Sequence, residues 1–78
     1  MSVFVKNAKY IGQFNFKIQF NTGEIKIVDI RKIKDIDKRY DFVDKINIVS
    51  KMKKECGSIA YKAYDIAPEL LYQASFKS

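Results

Sequence analysis

Seventy-eight residues make a single domain over 1–78, of a size at which one hydrophobic core leaves about 3–5 kcal/mol of net stability. A 47% apolar content with five Tyr and six Phe, against three Gly and one Pro, excludes a disordered chain, and no apolar run approaches the roughly 18–20 residues of a membrane-spanning helix. The net charge of +6, from fifteen Lys and Arg against nine Asp and Glu, invites a nucleic-acid reading, while the lack of histidine removes Ser-His and Cys-His catalytic pairs.

Val3 to Ile11 is rich in β-branched and aromatic residues and reads as a strand closed by Gly12. From Gln13 to Phe20 the alternation is strict: Phe14, Phe16, Ile18 and Phe20 share one face, and Gln13, Asn15, Lys17 and Gln19 the other. That pattern predicts an antiparallel strand with one buried face. Asn21-Thr22-Gly23 supplies a hairpin turn, and Glu24 to Ile30 returns as a third strand. After a turn through Arg31 to Asp35, the spacing of Ile33, Ile36, Tyr40 and Val43 predicts a helix from about Asp37 to Ile46, capped by Asp35 or Asp37.

Ile46 to Lys54 reads as a fourth strand, with Ile46, Ile48, Ser50 and Met52 on one side and Asn47, Val49, Lys51 and Lys53 on the other. Glu55-Cys56-Gly57 makes a turn, and Ser58 to Tyr64 a fifth strand. The closing helix runs from Pro68 to about Ala74, with Ser75 to Ser78 expected to fray. Pro68 suits the first helical turn, where its missing N–H is no loss, and its ring steers Ala67 out of helical angles. Ile66 and Leu71 are then placed as a hydrophobic staple, and Asp65 and Glu69 set negative charge at the positive end of the helix dipole. The whole predicts an α+β domain: one small antiparallel sheet of about five strands with two short helices on one face.

Ala8 and Tyr10, the Phe14-x-Phe16-x-Ile18-x-Phe20-x-x-Gly23 hairpin, Val28-Asp29-Ile30 and, most specifically, Asp65-Ile66-Ala67-Pro68-Glu69-Leu70-Leu71-Tyr72 together resemble the bacterial family catalogued as domain of unknown function 2442. The resemblance implies a small α+β fold, a cytoplasmic bacterial source and no known catalytic residues; no cofactor is expected. It also makes Asp65, Pro68, Leu71 and Tyr72 motif residues of structural character. The family's usual Trp-Pro-Asn-Gly before the Asp is replaced here by Tyr61-Lys62-Ala63-Tyr64. Members are often encoded beside another small protein in an arrangement that looks like a toxin–antitoxin pair, which associates the family with partner binding.

Candidate chemistry in the chain is sparse. Cys56 has Lys53 and Lys54 nearby but no base, so it reads as an inert turn cysteine; alone it forms neither an internal disulfide nor a thiolate zinc site. Asp35, Asp37, Asp41 and Asp44 are interleaved with Lys34, Lys38, Arg39 and Lys45, as on a solvated helix face, and lack the glycine and glutamate of a calcium loop. Gly12, Gly23 and Gly57 are too far apart to cradle a phosphate.

Surfaces are the stronger candidates. Lys51, Lys53, Lys54 and Lys62 would form a basic patch, with Tyr61 or Tyr64 as a stacking platform for single-stranded nucleic acid. Against it, edge strands carry Lys to prevent sheet pairing, thirteen of the fifteen cations are Lys rather than Arg, and a Lys- and Ile-rich composition also follows from an AT-rich genome. The expectation is therefore a cytoplasmic, non-enzymatic binding module whose partner is another protein, in the manner of an antitoxin or inhibitor. Nucleic acid is the alternative partner, homodimerisation through an exposed strand is compatible with either, and no membrane association is expected.

Overall fold

The structure is a computed structural model that describes residues 2–74 and the backbone of Phe76 and Lys77. It is an α+β domain with two antiparallel sheets and three short helices. In the first sheet β1 (Val5–Gly12), β2 (Asn15–Phe20) and β3 (Ile25–Asp29) form a meander, and the two-residue strand β7 (Phe76–Lys77) pairs with β3. The second sheet joins β4 (Lys53–Glu55), β5 (Ser58–Tyr61) and β6 (Tyr64–Ile66) in that order. Between the sheets in sequence lie a 3-10 turn at Ile30–Lys32 and the helices α1 (Ile36–Arg39) and α2 (Ile46–Val49); α3 (Pro68–Gln73) follows the second sheet.

The period-two alternation of β2 is realised directly. Phe16, Ile18 and Phe20 are fully buried, and the register sets Phe16 between Tyr10 and Val28 on the same face. Phe14, expected in that row, lies just before the strand and is half-buried, with the Arg31 guanidinium 5.0 Å from its ring centroid. The turn at Asn21-Thr22-Gly23 forms as predicted. Gly23 takes φ +90°, the Phe20 N–H donates to the Glu24 carbonyl at 2.9 Å, and Asn21 Oδ1 accepts the Phe4 N–H at 2.9 Å. The last of these ties the amino-terminal segment to the hairpin.

The single five-stranded sheet expected from the sequence is instead two sheets, and the departures lie between residues 33 and 64. The spacing of Ile33, Ile36 and Val43 marked core residues correctly, since each is 4–5% exposed. A continuous helix does not carry them. Phe42 is buried as well, and on one helix it would point about 100° away from Val43. The chain buries both by ending α1 at Arg39, with Tyr40 extended at φ −138°, and turning through 41–44. Asp35 sits at the cap position in the left-handed region, φ +57°, without a side-chain capping bond.

The predicted strand Ile46 to Lys54 is divided: Ile46–Val49 form the helix α2, and Lys53 and Lys54 belong to the strand β4. Val49 and Met52, expected on opposite sides, are both buried, at 0% and 2% exposure, whereas Ile46 is 44% exposed. Burial three residues apart is a helical requirement, and it overrides the strand preference of an Ile-Asn-Ile-Val run. The predicted strand Ser58 to Tyr64 is cut in two by a reversal at Lys62-Ala63 that sets Tyr61 opposite Tyr64. Lys62 adopts φ +56° there.

The closing helix begins at Pro68 with Ala67 as its boundary, as predicted. Ile66 and Leu71 are both fully buried, each removing a side chain worth about 1.5–3 kcal/mol from water. Tyr40 Oη accepts the Ala67 N–H at 3.3 Å, which gives the cap residue's backbone donor a partner. Of the segment expected to fray, Ser75 and Ser78 lie outside the described residues, while Phe76 and Lys77 pair with Ile27 and Lys26. The two sheets meet where the Val5 N–H donates to the Gly57 carbonyl at 2.7 Å, and one core cluster from Val5 to Leu71 is shared by both.

Candidate functional site

The basic patch predicted from Lys51, Lys53, Lys54 and Lys62 is dispersed by the fold. On β4, Lys53 and Lys54 are consecutive and so point to opposite faces of the second sheet. Lys53 is in register with Ala60, and Ala60 in turn with Asp65; Lys54 shares a face with Ile59 and lines, with Lys6, Phe4 and Cys56, an open cleft of about 420 Å3 where the sheets meet. Lys51 and Lys62 do converge. Their ammonium groups lie 5.7 and 5.3 Å from the centroid of the half-buried Tyr61 ring. Tyr64, 36% exposed, turns instead toward Phe42, with ring centroids 5.0 Å apart, and Phe42 in turn meets Tyr40 at 5.6 Å. Of the six residues, only Lys51, Tyr61 and Lys62 are thus brought together as a basic and aromatic site.

The acidic series is also divided. Asp37 and Asp41 line an open cleft of about 360 Å3 with Asp65, together with Lys38 and Arg39. Asp35 pairs with Lys38 at 3.9 Å, and Asp44 borders a separate groove beside Phe14, Arg31 and Ile46. No group of three His, Cys, Asp or Glu among the described residues is arranged to hold a metal ion.

The motif residues dock α3. Leu71 fills the core, and the Tyr72 ring packs edge-on against Phe20 with centroids 5.0 Å apart. The Tyr72 hydroxyl donates to Glu24 Oε1 at 2.5 Å, Lys26 Nζ lies 3.5 Å from Glu24 Oε2, and the same ammonium group stands 3.8 Å from the Tyr72 ring centroid. The tyrosine hydrogen bond holds Glu24 below the usual carboxylate range, and the Glu24 carboxylate holds Tyr72 above the usual tyrosine value. Glu24 and Lys26 carried no signal in the sequence, because a Glu-x-Lys pair in a strand reads as ordinary surface charge.

The outer face of the first sheet was equally silent. The core side of β1–β3 is set by Phe16, Ile18, Phe20 and Val28, so the opposite side carries Asn7, Gln19 and Ile25 in one register and Lys9, Lys17 and Ile27 in the next. Asn7, Lys9 and Lys17 are exposed, Ile25 is 41% exposed, and Gln19 and Ile27 are half-buried. A periodic strand marks its polar side only as solvent-facing; which residues meet across the strands is a property of register, which the sequence pattern leaves open.

The strand edges differ from this face. Edge strand β1 carries bulges at Lys6 and Ile11, and β4 is three charged residues long. Bulges, short strands and charge are the features that discourage edge-to-edge pairing. Comparison of the chain with protein-family models, with curated proteins and with solved structures finds no match. No helix among the described residues is long and apolar enough to cross a membrane.

Proposed function

We propose that the chain is a non-enzymatic protein-binding module that masks or positions another protein of its own cell, as an antitoxin-like or inhibitory partner does. The observation that carries this reading is the outer face of β1–β3, where exposed Ile25 and half-buried Ile27 stand beside Asn7, Gln19, Lys9 and Lys17. Apolar side chains beside amides and cations are the composition of a protein interface with a polar rim. The guarded edges of β1 and β4 discourage an added strand there. The motif-level resemblance of Asp65 to Tyr72 to a family associated with paired small proteins supports the same class of role.

The test is capture from nuclease-treated lysate of the source organism at physiological salt, comparing the natural chain with the Ile25→Asp variant. A stoichiometric protein retained by the natural chain and lost by the variant supports the reading. Retention that is unchanged in the variant, or no retained protein, removes it. A second reading, nucleic-acid binding, is favoured by the convergence of Lys51 and Lys62 on Tyr61. It requires affinity for single-stranded DNA that falls steeply with salt and drops when both lysines become Gln.

A further inference from the structure

The register of β1 and β2 places Lys9 directly opposite Lys17. Like charges at directly opposed positions destabilise a strand pair, and in a sheet this small the penalty is not trivial. Neither ammonium group has a carboxylate within ion-pairing distance among the described residues. The carboxylate nearest in register, Asp29, is paired with Asn15 one step further along the face, and its Oδ1 accepts the Arg31 N–H at 3.0 Å. A local rule broken without compensation inside the fold is what a functional surface looks like when its compensating group arrives from outside.

From this placement we infer that the outer face of β1–β3 takes an acidic segment of a partner protein, with a carboxylate seated between Lys9 and Lys17. The inference rests on the protein-binding reading above and names the partner's chemistry. Two cations on one face supply charge complementarity, and the neighbouring Asn7 and Gln19 amides donate and accept hydrogen bonds to a backbone or a carboxylate. Ile25 and Ile27 offer apolar area, so the fitting segment interleaves apolar side chains with its carboxylates. A nucleic acid is the competing occupant, which the oligothymidine arm of the test distinguishes.

The experiment is an amide chemical-shift titration of the isotope-labelled chain with a short peptide of alternating Glu and Leu, and in parallel with oligothymidine. The peptide is expected to shift Asn7, Lys9, Lys17, Gln19 and Ile25 selectively. Its affinity is expected to fall at least tenfold in the Lys9→Gln, Lys17→Gln chain and further in the Lys9→Glu, Lys17→Glu chain, each checked for a native spectrum. Shifts centred on Lys51, Tyr61 and Lys62, shifts spread evenly over all lysines, no peptide binding, or tighter binding of oligothymidine at the same face would each overturn the inference. If lysate capture still depends on Ile25 while the lysine variants bind as the natural chain does, the protein-binding reading stands and the acidic chemistry falls. If capture itself fails, that reading falls first.

Discussion

At the scale of single residues, the contact between Tyr72 and Glu24 has a pH signature. It stabilises the fold while Glu24 is ionised and Tyr72 protonated. Because Glu24 is depressed in the fold, its contribution is complete above the unfolded carboxylate value of about 4.3 and is lost as pH falls through the lower folded value. Because Tyr72 is raised, its contribution is complete below the unfolded value of about 10 and is lost as pH rises through the folded value. Tyr72→Phe keeps the ring against Phe20 and removes the hydroxyl. Thermal melts are expected to show a lower Tm for the variant at neutral pH, with the gap to the natural chain closing at both extremes. A gap that does not vary with pH contradicts the assignment. At Lys62 the left-handed backbone strains a residue with a Cβ, so Lys62→Gly is expected to stabilise by about 0.5–1 kcal/mol in urea unfolding. Lys17→Glu turns a repulsive cross-strand pair into an attractive one. It is expected to raise stability by about 0.2–1 kcal/mol while abolishing recognition of an acidic partner.

At the scale of elements, what could be read from the sequence was whatever local chemistry alone determines. The β2 alternation, the Asn21-Thr22-Gly23 turn and the start of α3 at Pro68 are each set by neighbours within a few residues, and each is found where the pattern puts it. Leu71→Ala, at the staple, is expected to cost about 2–5 kcal/mol, enough to unfold much of the chain at room temperature, and a urea titration reads it directly. Residues 33–52 were legible only in part: the spacing marked Ile33, Ile36 and Val43 as core, but left Phe42 unmarked and set Val49 opposite Met52, because burial of Phe42 and Val43, and of Val49 and Met52, follows no single period. The reversal at Lys62-Ala63 was hidden for a different reason. It contains none of the Gly, Asn or Pro that announce a turn.

At the scale of the whole molecule, the predicted basic patch comes apart within the second sheet. Lys53 and Lys54 diverge across β4, Tyr64 joins the Phe42 cluster, and the convergence of Lys51 and Lys62 on Tyr61 remains. The same folding assembles a surface that no stretch of sequence contains, since Asn7 and Lys9 come from β1, Lys17 and Gln19 from β2, and Ile25 and Ile27 from β3. Sites made by register between strands are invisible to motif reading, which follows the chain. The most direct measurement is the amide spectrum of the labelled chain in nuclease-treated lysate of the source organism. Selective broadening of Asn7, Lys9, Lys17, Gln19 and Ile25 is the result the account predicts. Broadening centred on Lys51, Tyr61 and Lys62, or a spectrum identical to that of the isolated chain, would contradict it.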